Sequence, residues 1–344
     1  MGVRYYDQEK YPALLIGYPG QMYAPVMLAG HFDVVEPDPD DSQFIPRIEG
    51  DYLWGRGAAD MKTVVGTFLI WMKDTFKLGD PYPPINLLLI GNEENGESEA
   101  MGTPQLLKLL HEDSGYQPSL LIAGERTGEN GDECYGQICT ENRGVMRFEI
   151  ALHGARSHTG VHRKPMDMSS RLIDARSRVS EILSRYLTQD SSDGWNSQSS
   201  YPYIQVGSPG IFNISADRGV IGIEVRPIPQ DDIAGLVAEL QDCCSAQSLE
   251  LEILVQEAGI ICDPDNPYLL ALSRAVSDVS GEPPALGRKL PGTSARFAPR
   301  GQGVVWGQSG IAPHGAEERH YIPSIEPYYR VLTNYSQNLS GRSS

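Results

Sequence analysis

"MLAGHFDVVEPDPDD", residues 27–41, sets an apolar run against an acidic loop. The run stops at Gly30, and a histidine and an aspartate follow with one residue between them. Short apolar runs bounded by turn residues read as buried strands, and "PALLIGYPG" (12–20) just upstream is another. A solvated loop accounts for the later carboxylates. It does not account for a histidine at the edge of a buried strand. Residues two apart along a strand share a face, so Asp33 stands beside His31, where an acid orients an imidazole.

The next strands end the same way. "INLLLIGNEENGE" (85–97) runs into Glu93-Glu94, and "SLLIAGE" (119–125) ends in Glu125. Helical patterns separate them. From Met61 the apolar positions Val64, Val65, Phe68, Leu69, Met72 and Phe76 recur at helical spacing, which puts Asp60 at a helix start, as ligand or as cap. "TPQLLKLLHED" (103–113) is a second helix. Strands and helices in alternation predict an α/β domain, a mostly parallel sheet covered on both faces.

The texture changes near Arg143. "VMRFEIALHG" (145–154) alternates, with Met146, Phe148, Ile150 and Leu152 on one face, as a half-solvated antiparallel strand does. A long helix, strands at "YPYIQV" and "GVIGIEVRP", a helix at "DDIAGLVAELQDCC" and a strand at "LELEILVQE" follow. That order is βαββαβ, the ferredoxin-like unit. Beyond Gly259 the first style returns. The expected organisation is a discontinuous domain of residues 1–142 and 259–344, interrupted by a smaller one at 143–258.

Composition narrows the partners. The 344 residues carry a net charge of -17, which argues against nucleic acid and anionic membranes. No stretch approaches the roughly 20 apolar residues of a membrane span. Five cysteines without a repeating framework suit a reducing compartment, so the expected location is the cytoplasm.

In open α/β sheets ligands bind beyond the carboxyl ends of the strands. His31, Asp60, Glu94, Glu125 and His314, the last in the loop after "GVVWG", are therefore expected on one rim. Two imidazoles and three carboxylates suit zinc, and also cobalt or manganese. Two such ions about 3.5–4 Å apart clamp a water and lower its pKa, leaving a nearby carboxylate to take the proton. Each piece alone has a bland reading: a polar pair, a solvated turn, a helix cap, a surface histidine. Successive strands ending in ligands are not so easily explained one by one.

"MLAGHFDVV", "WGRGAADMK", "LLIGNEENGE" and "IAGERTG" together resemble the successive metal motifs of a zinc-dependent family that contains acetylornithine deacetylase, succinyl-diaminopimelate desuccinylase, aminoacylase and the glutamate carboxypeptidases. The resemblance spans nearly the whole chain. It implies two divalent ions, with His31 and Glu125 as ligands of one and the other, Asp60 as the bridge, and Glu94 and His314 completing the set. It also implies that Glu93 is the general base and Asp33 the acid behind His31. "HGARSHTGVHRKP" (153–165) is similar to the family's lid segment, so His158, with His162 as alternative, would stabilise an oxyanion, often in the partner subunit's site. By the same resemblance Asn213, Arg226 and Arg296 would contact substrate, an Arg fork suiting a carboxylate.

The match departs in places. Only thirty residues precede His31, implying a shortened N-terminal segment; Arg126 stands where a proline is common; "PGTSARF" lacks an acid after the serine; and "AADMKTVV" lacks a glycine after the lysine. The expectation is a two-metal amidohydrolase acting on a small N-acyl amino acid or dipeptide, assembled as a homodimer through the lid. Two other readings remain, a non-catalytic metabolite-binding homologue and a two-metal phosphoester hydrolase, the latter needing basic residues at the rim, where Lys62 is the one lysine in the motifs.

Overall fold

The computed structural model describes residues 1–6, 12–36, 42–94, 96, 101–161 and 167–341. The chain divides into two compact units, residues 1–142 with 261–344, and residues 143–260.

The larger unit opens with strands β1 (Gly2–Tyr6), β2 (Ala13–Gly17) and β3 (Val26–His31), then helix α1 (Thr63–Lys77), β4 (Ile85–Ile90), α2 (Thr103–Ser114), β5 (Leu120–Ala123) and β6 (Ile138–Asn142). Every residue of β3, β4 and β5 is buried, which is why they read as unbroken apolar runs rather than alternating ones. α1 turns Val64, Val65, Phe68, Trp71 and Met72 inward. Leu69, expected on that face, lies on the solvent side at 40% exposure, and Trp71 takes the core position. Asp60 does not cap α1; Lys62 precedes its first residue, and Asp60 sits in a wide turn over Ala58–Lys62 with extended backbone angles.

The smaller unit comprises β7 (Val145–His153), α3 (Met168–Tyr186), β8 (Gln198–Val206), β9 (Arg218–Arg226), α4 (Ile233–Ala246) and β10 (Glu250–Glu257). Its antiparallel sheet runs β8-β9-β7-β10, the ferredoxin-like order. Its helices start on side-chain caps, Asp167 accepting from Ser170 N and Asp232 from Gly235 N. Phe148, Ile150, Leu172, Ile221 and Leu236 fill the space between sheet and helices.

Returning to the larger unit, the chain adds α5 (Pro267–Ser280), β11 (Leu286–Lys289), β12 (Gly303–Val305) and α6 (Ile325–Ser340). The central sheet is ordered β1-β2-β4-β3-β5-β12-β6, with β11 beside β6. β4, β3, β5 and β12 are parallel neighbours, while β1 and β2 are antiparallel. Phe68, Trp71, Leu28, Leu87, Ile122, Trp306, Tyr328 and Tyr335 belong to one core. Burying each such side chain contributes roughly 1.5–3 kcal/mol over leaving it exposed. A second, small sheet joins Gly310–Ile311, Arg319–Tyr321, Tyr52–Trp54 and Arg47–Glu49. It brings together the two segments that carry Asp60 and His314.

The strand order reverses at β3. Its successor β4 lies on one side, and β5 comes back to the other. Such a reversal opens a crevice at the carboxyl ends of β3 and β5, where open α/β sheets bind ligands.

Candidate metal centre

His31 ends β3 and is 1% exposed. β3 and β5 pair in parallel through Ala29 and Ala123, so continuing that register by two residues sets Glu125 beside His31. His31 Nε2 stands 3.8 Å from Glu125 Oε1 and 3.0 Å from Asp60 Oδ1. The other oxygen, Asp60 Oδ2, lies 3.0 Å from His314 Nε2, which lies 3.0 Å from Glu94 Oε2. Two donor groups result, His31 with Asp60 and Glu125, and Asp60 with Glu94 and His314, the ligand atoms of each group within 4.8 Å of one another. Asp60 belongs to both.

This grouping corrects one expectation. The resemblance implied His31 and Glu125 on different ions, whereas the parallel register puts them in the same group. All five expected ligands do come together.

The donor set fits divalent ions. Ligand atoms bound at about 2.0–2.1 Å in a tetrahedral shell stand about 3.3 Å from each other, close to the separations here. Charge points the same way, since the rim gathers more carboxylates than imidazoles, and a surplus of buried negative charge needs cations. Burial pushes the Glu125 carboxyl up to about 7, with Asp60 pushing the same way and His31 and Lys289 opposing. Burial also pushes Asp60 up, but its bonds to His31 and His314 outweigh that and hold it well below the usual carboxylate range. Burial alone would lower His31; Asp33 and Asp60 raise it well above 6.5. The bonds to Asp60 and Glu94 raise His314 to about 10.

Asp33 does two things. One carboxylate oxygen stands 3.4 Å from His31 Nδ1, leaving Nε2 to face Asp60 and Glu125. The other accepts the Glu94 N–H at 3.0 Å. Glu93, adjacent to Glu94 in the turn after β4, acts electrostatically on His31. His314 has a left-handed φ of 65°, a conformation that costs a residue with a Cβ about 1–3 kcal/mol and that the surroundings must impose. Close packing matters too: a Cβ on Gly124, between β5 and Glu125, would meet Met61 and Phe68 side chains at 2.9 and 2.8 Å.

Three residues were not legible as part of the site. Glu318 is fully buried; its Oε1 accepts the Ala59 and Asp60 N–H groups at 3.1 Å each, and its Oε2 accepts from Arg56 Nη1 at 2.8 Å. Lys289, also buried, donates to the Arg126 carbonyl beside Glu125 and to Glu129 Oε1. "WGRG", "GAEERH" and "GRKLPG" carry no periodicity that marks these charges as buried.

The remaining expected residues fall elsewhere. Arg296 lies in a short turn, Ser294–Phe297, with its guanidinium over the Phe297 ring. In the smaller unit His158 is exposed, bridges to Ile214, and its Nδ1 accepts the Gly160 N–H at 3.1 Å. Asn213 is its neighbour there, its carbonyl accepting from Thr159 N. Arg226 pairs with Glu224 at the far end of β9, a strand that starts near His158. Nine residues at about 3.4 Å separate the strand's ends by about 27 Å. His162 lies outside the described residues. Lys62 is exposed beside Trp54 and Ile70, in a groove that none of the five ligand candidates lines.

The model of peptidase family M20/M25/M40 matches residues 27–338. The chain belongs to this family. Among its relatives, succinyl-diaminopimelate desuccinylase of Gluconobacter oxydans is 28% identical over 92% of this chain and 82% of that protein. The protein of the same name from Maricaulis maris is 26% identical over 90% and 80%. A tripeptidase from Staphylococcus aureus shares the fold with a TM-score of 0.72, at 14% identity, over 99% of this chain and 89% of the other. An M20 metallo-carboxypeptidase from Sulfolobus solfataricus does so with 0.67, at 16% identity, over 96% and 87%. Membership in M20/M25/M40 places the chain among hydrolases of amide and peptide bonds. Among the described residues no helix is long and apolar enough to cross a membrane, and none of the five cysteines forms a disulfide.

Proposed function

We propose that the protein is a two-metal amidohydrolase that cleaves the amide bond of a small N-acyl amino acid or peptide. The observation that carries this reading is the division of Asp60 between two donor groups, one oxygen to each, with an imidazole and a further carboxylate completing both. Two divalent ions, zinc in our reading, would lower the pKa of a shared water and polarise the scissile carbonyl.

The chain's own residues supply the rest. Glu93 takes the proton from the attacking water and passes it to the leaving amine. Asp33 keeps His31 in the tautomer that presents Nε2 to the ion. His158 donates a hydrogen bond to the oxyanion, and Asn213 holds the substrate beside it. Arg226, with Arg296, anchors the substrate carboxylate through its fork.

Arg226 stands at one end of β9, about 27 Å from the end nearer His158, so one small substrate would meet the two residues from different chains. The site is therefore completed in a homodimer, His158 and Asn213 coming from the partner's smaller unit, which acts as a lid. Amide hydrolysis is favoured over phosphoester hydrolysis because Lys62, the one lysine of the motifs, lines a different groove.

A panel of N-succinyl, N-acetyl and dipeptide substrates, assayed before and after chelation, tests the proposal. Chelation-sensitive cleavage of at least one is expected. Turnover of a generic phosphoester, with none of the amides, would overturn it.

A further inference from the structure

The two donor groups are held differently. His31 and Glu125 follow buried, hydrogen-bonded strands, whereas Glu94 and His314 sit on loops, and Asp60 on the irregular turn before α1. Sites on strands are more sharply positioned than sites on loops, so the second group needs another support.

Arg56 and Glu318 are placed to give it. Their side chains are 5% and 1% exposed. Glu318 accepts the N–H groups of Ala59 and Asp60 with one oxygen and Arg56 Nη1 with the other. The same Nη1 donates at 3.2 Å to the carbonyl of Gly315, the residue after His314. That carbonyl also accepts Glu318 N at 3.3 Å, and Gly315 N donates back to Ala312 O at 3.1 Å. One buried ion pair thus joins the backbone at Asp60 to the loop that holds His314 in its left-handed conformation.

We propose that Arg56 and Glu318 are positioning residues that set the affinity for the second ion, the one shared by Asp60, Glu94 and His314. This rests on the two-ion reading above. Loosening the clamp frees both Asp60 Oδ2 and His314, while His31 and Glu125 remain fixed by the sheet. The first ion keeps two well-placed ligands; the second loses the geometry of two of its three.

The test is a zinc titration of the metal-free full-length protein against a competing chromophoric chelator, with wild type, Glu318→Gln and Arg56→Lys. Removing a residue that orients metal ligands costs about 10–100-fold in affinity. Both variants should show that loss for the second ion, with a markedly smaller one for the first, which keeps His31 and Glu125 in place, and with the circular dichroism of the metal-free form unchanged. Wild-type affinity for both ions, or a parallel loss of both, would overturn the proposal. If Glu318→Gln does not fold, Arg56→Lys, which keeps the charge but not the planar reach, decides it by the same two criteria. Wild type taking up fewer than two ions would overturn the two-ion reading itself, and is visible before any variant is made.

Discussion

His31 Nε2 and Glu125 Oε1 stand 3.8 Å apart because they occupy matching register positions at the carboxyl ends of two hydrogen-bonded parallel strands. In the two-ion reading proposed above they serve the same ion, so replacing either should have the same effect. His31→Ala and Glu125→Gln should each leave one ion per chain, held by Asp60, Glu94 and His314. Asp60→Asn weakens both sites at once. Metal content after dialysis, by elemental analysis, reads this directly. Retention of different ions in the first two variants, told apart by cobalt absorption spectra, would contradict the pairing.

Glu93→Gln preserves shape and removes the proton acceptor. A positioned general base contributes about 10²–10⁴-fold, so kcat should fall by that range with metal content unchanged. A variant that hydrolyses substrate normally would remove Glu93 from the role.

Metal uptake should release protons. In the metal-free protein the carboxylate partners hold His31 and His314 protonated at neutral pH, and Glu125, at about 7, is half-protonated. Ligands must shed those protons to bind a cation, so binding near pH 7 should release about two per chain, and affinity should fall as pH falls. Calorimetry in buffers of different ionisation heat measures the number. Heats that do not depend on the buffer would contradict it.

His320 gives a separate acid sensitivity. Burial pushes its pKa down to about 4, so it stays neutral in the folded protein while the unfolded chain takes up a proton below about pH 6.5. The associated stability is whole above about pH 6.5 and is lost as pH falls toward 4, by about 2 kcal/mol at about pH 5. Urea melts at neutral pH and at about pH 5 should show His320→Asn losing less stability than wild type by about that amount. Equal losses would rule out this origin.

If the partner supplies His158, two dead variants should rescue each other. A mixed dimer of Glu93→Gln and His158→Ala has one complete site, so an equal mixture that exchanges subunits should recover roughly a quarter of wild-type activity. No recovery on mixing would place His158 in its own chain's site.

Much of this was legible in the sequence, for a physical reason. β3, β4 and β5 are buried on both faces, so their apolar runs are unbroken, and the polar residues that end them stand out as His31, Glu93-Glu94 and Glu125. The alternation of β7 marked the half-solvated sheet equally well. What failed was information that does not repeat along the chain. The register of β3 on β5, which pairs His31 with Glu125, is a property of two strands together. Strands of two or three residues, such as Gly310–Ile311 and Tyr52–Trp54, are too short for a period. Nothing in the sequence marks Arg56, Glu318 and Lys289 as buried, because burial of a paired charge depends on its distant partner.

In the proposed mechanism two ions share Asp60, and catalysis needs both. The most direct test is to titrate the metal-free protein with zinc while following both bound metal and cleavage of an N-acyl amino acid or dipeptide identified in the substrate panel. No activity is expected without metal, and binding should end at two ions per chain. Binding that ends at one ion, or full activity in the chelated protein, would contradict it.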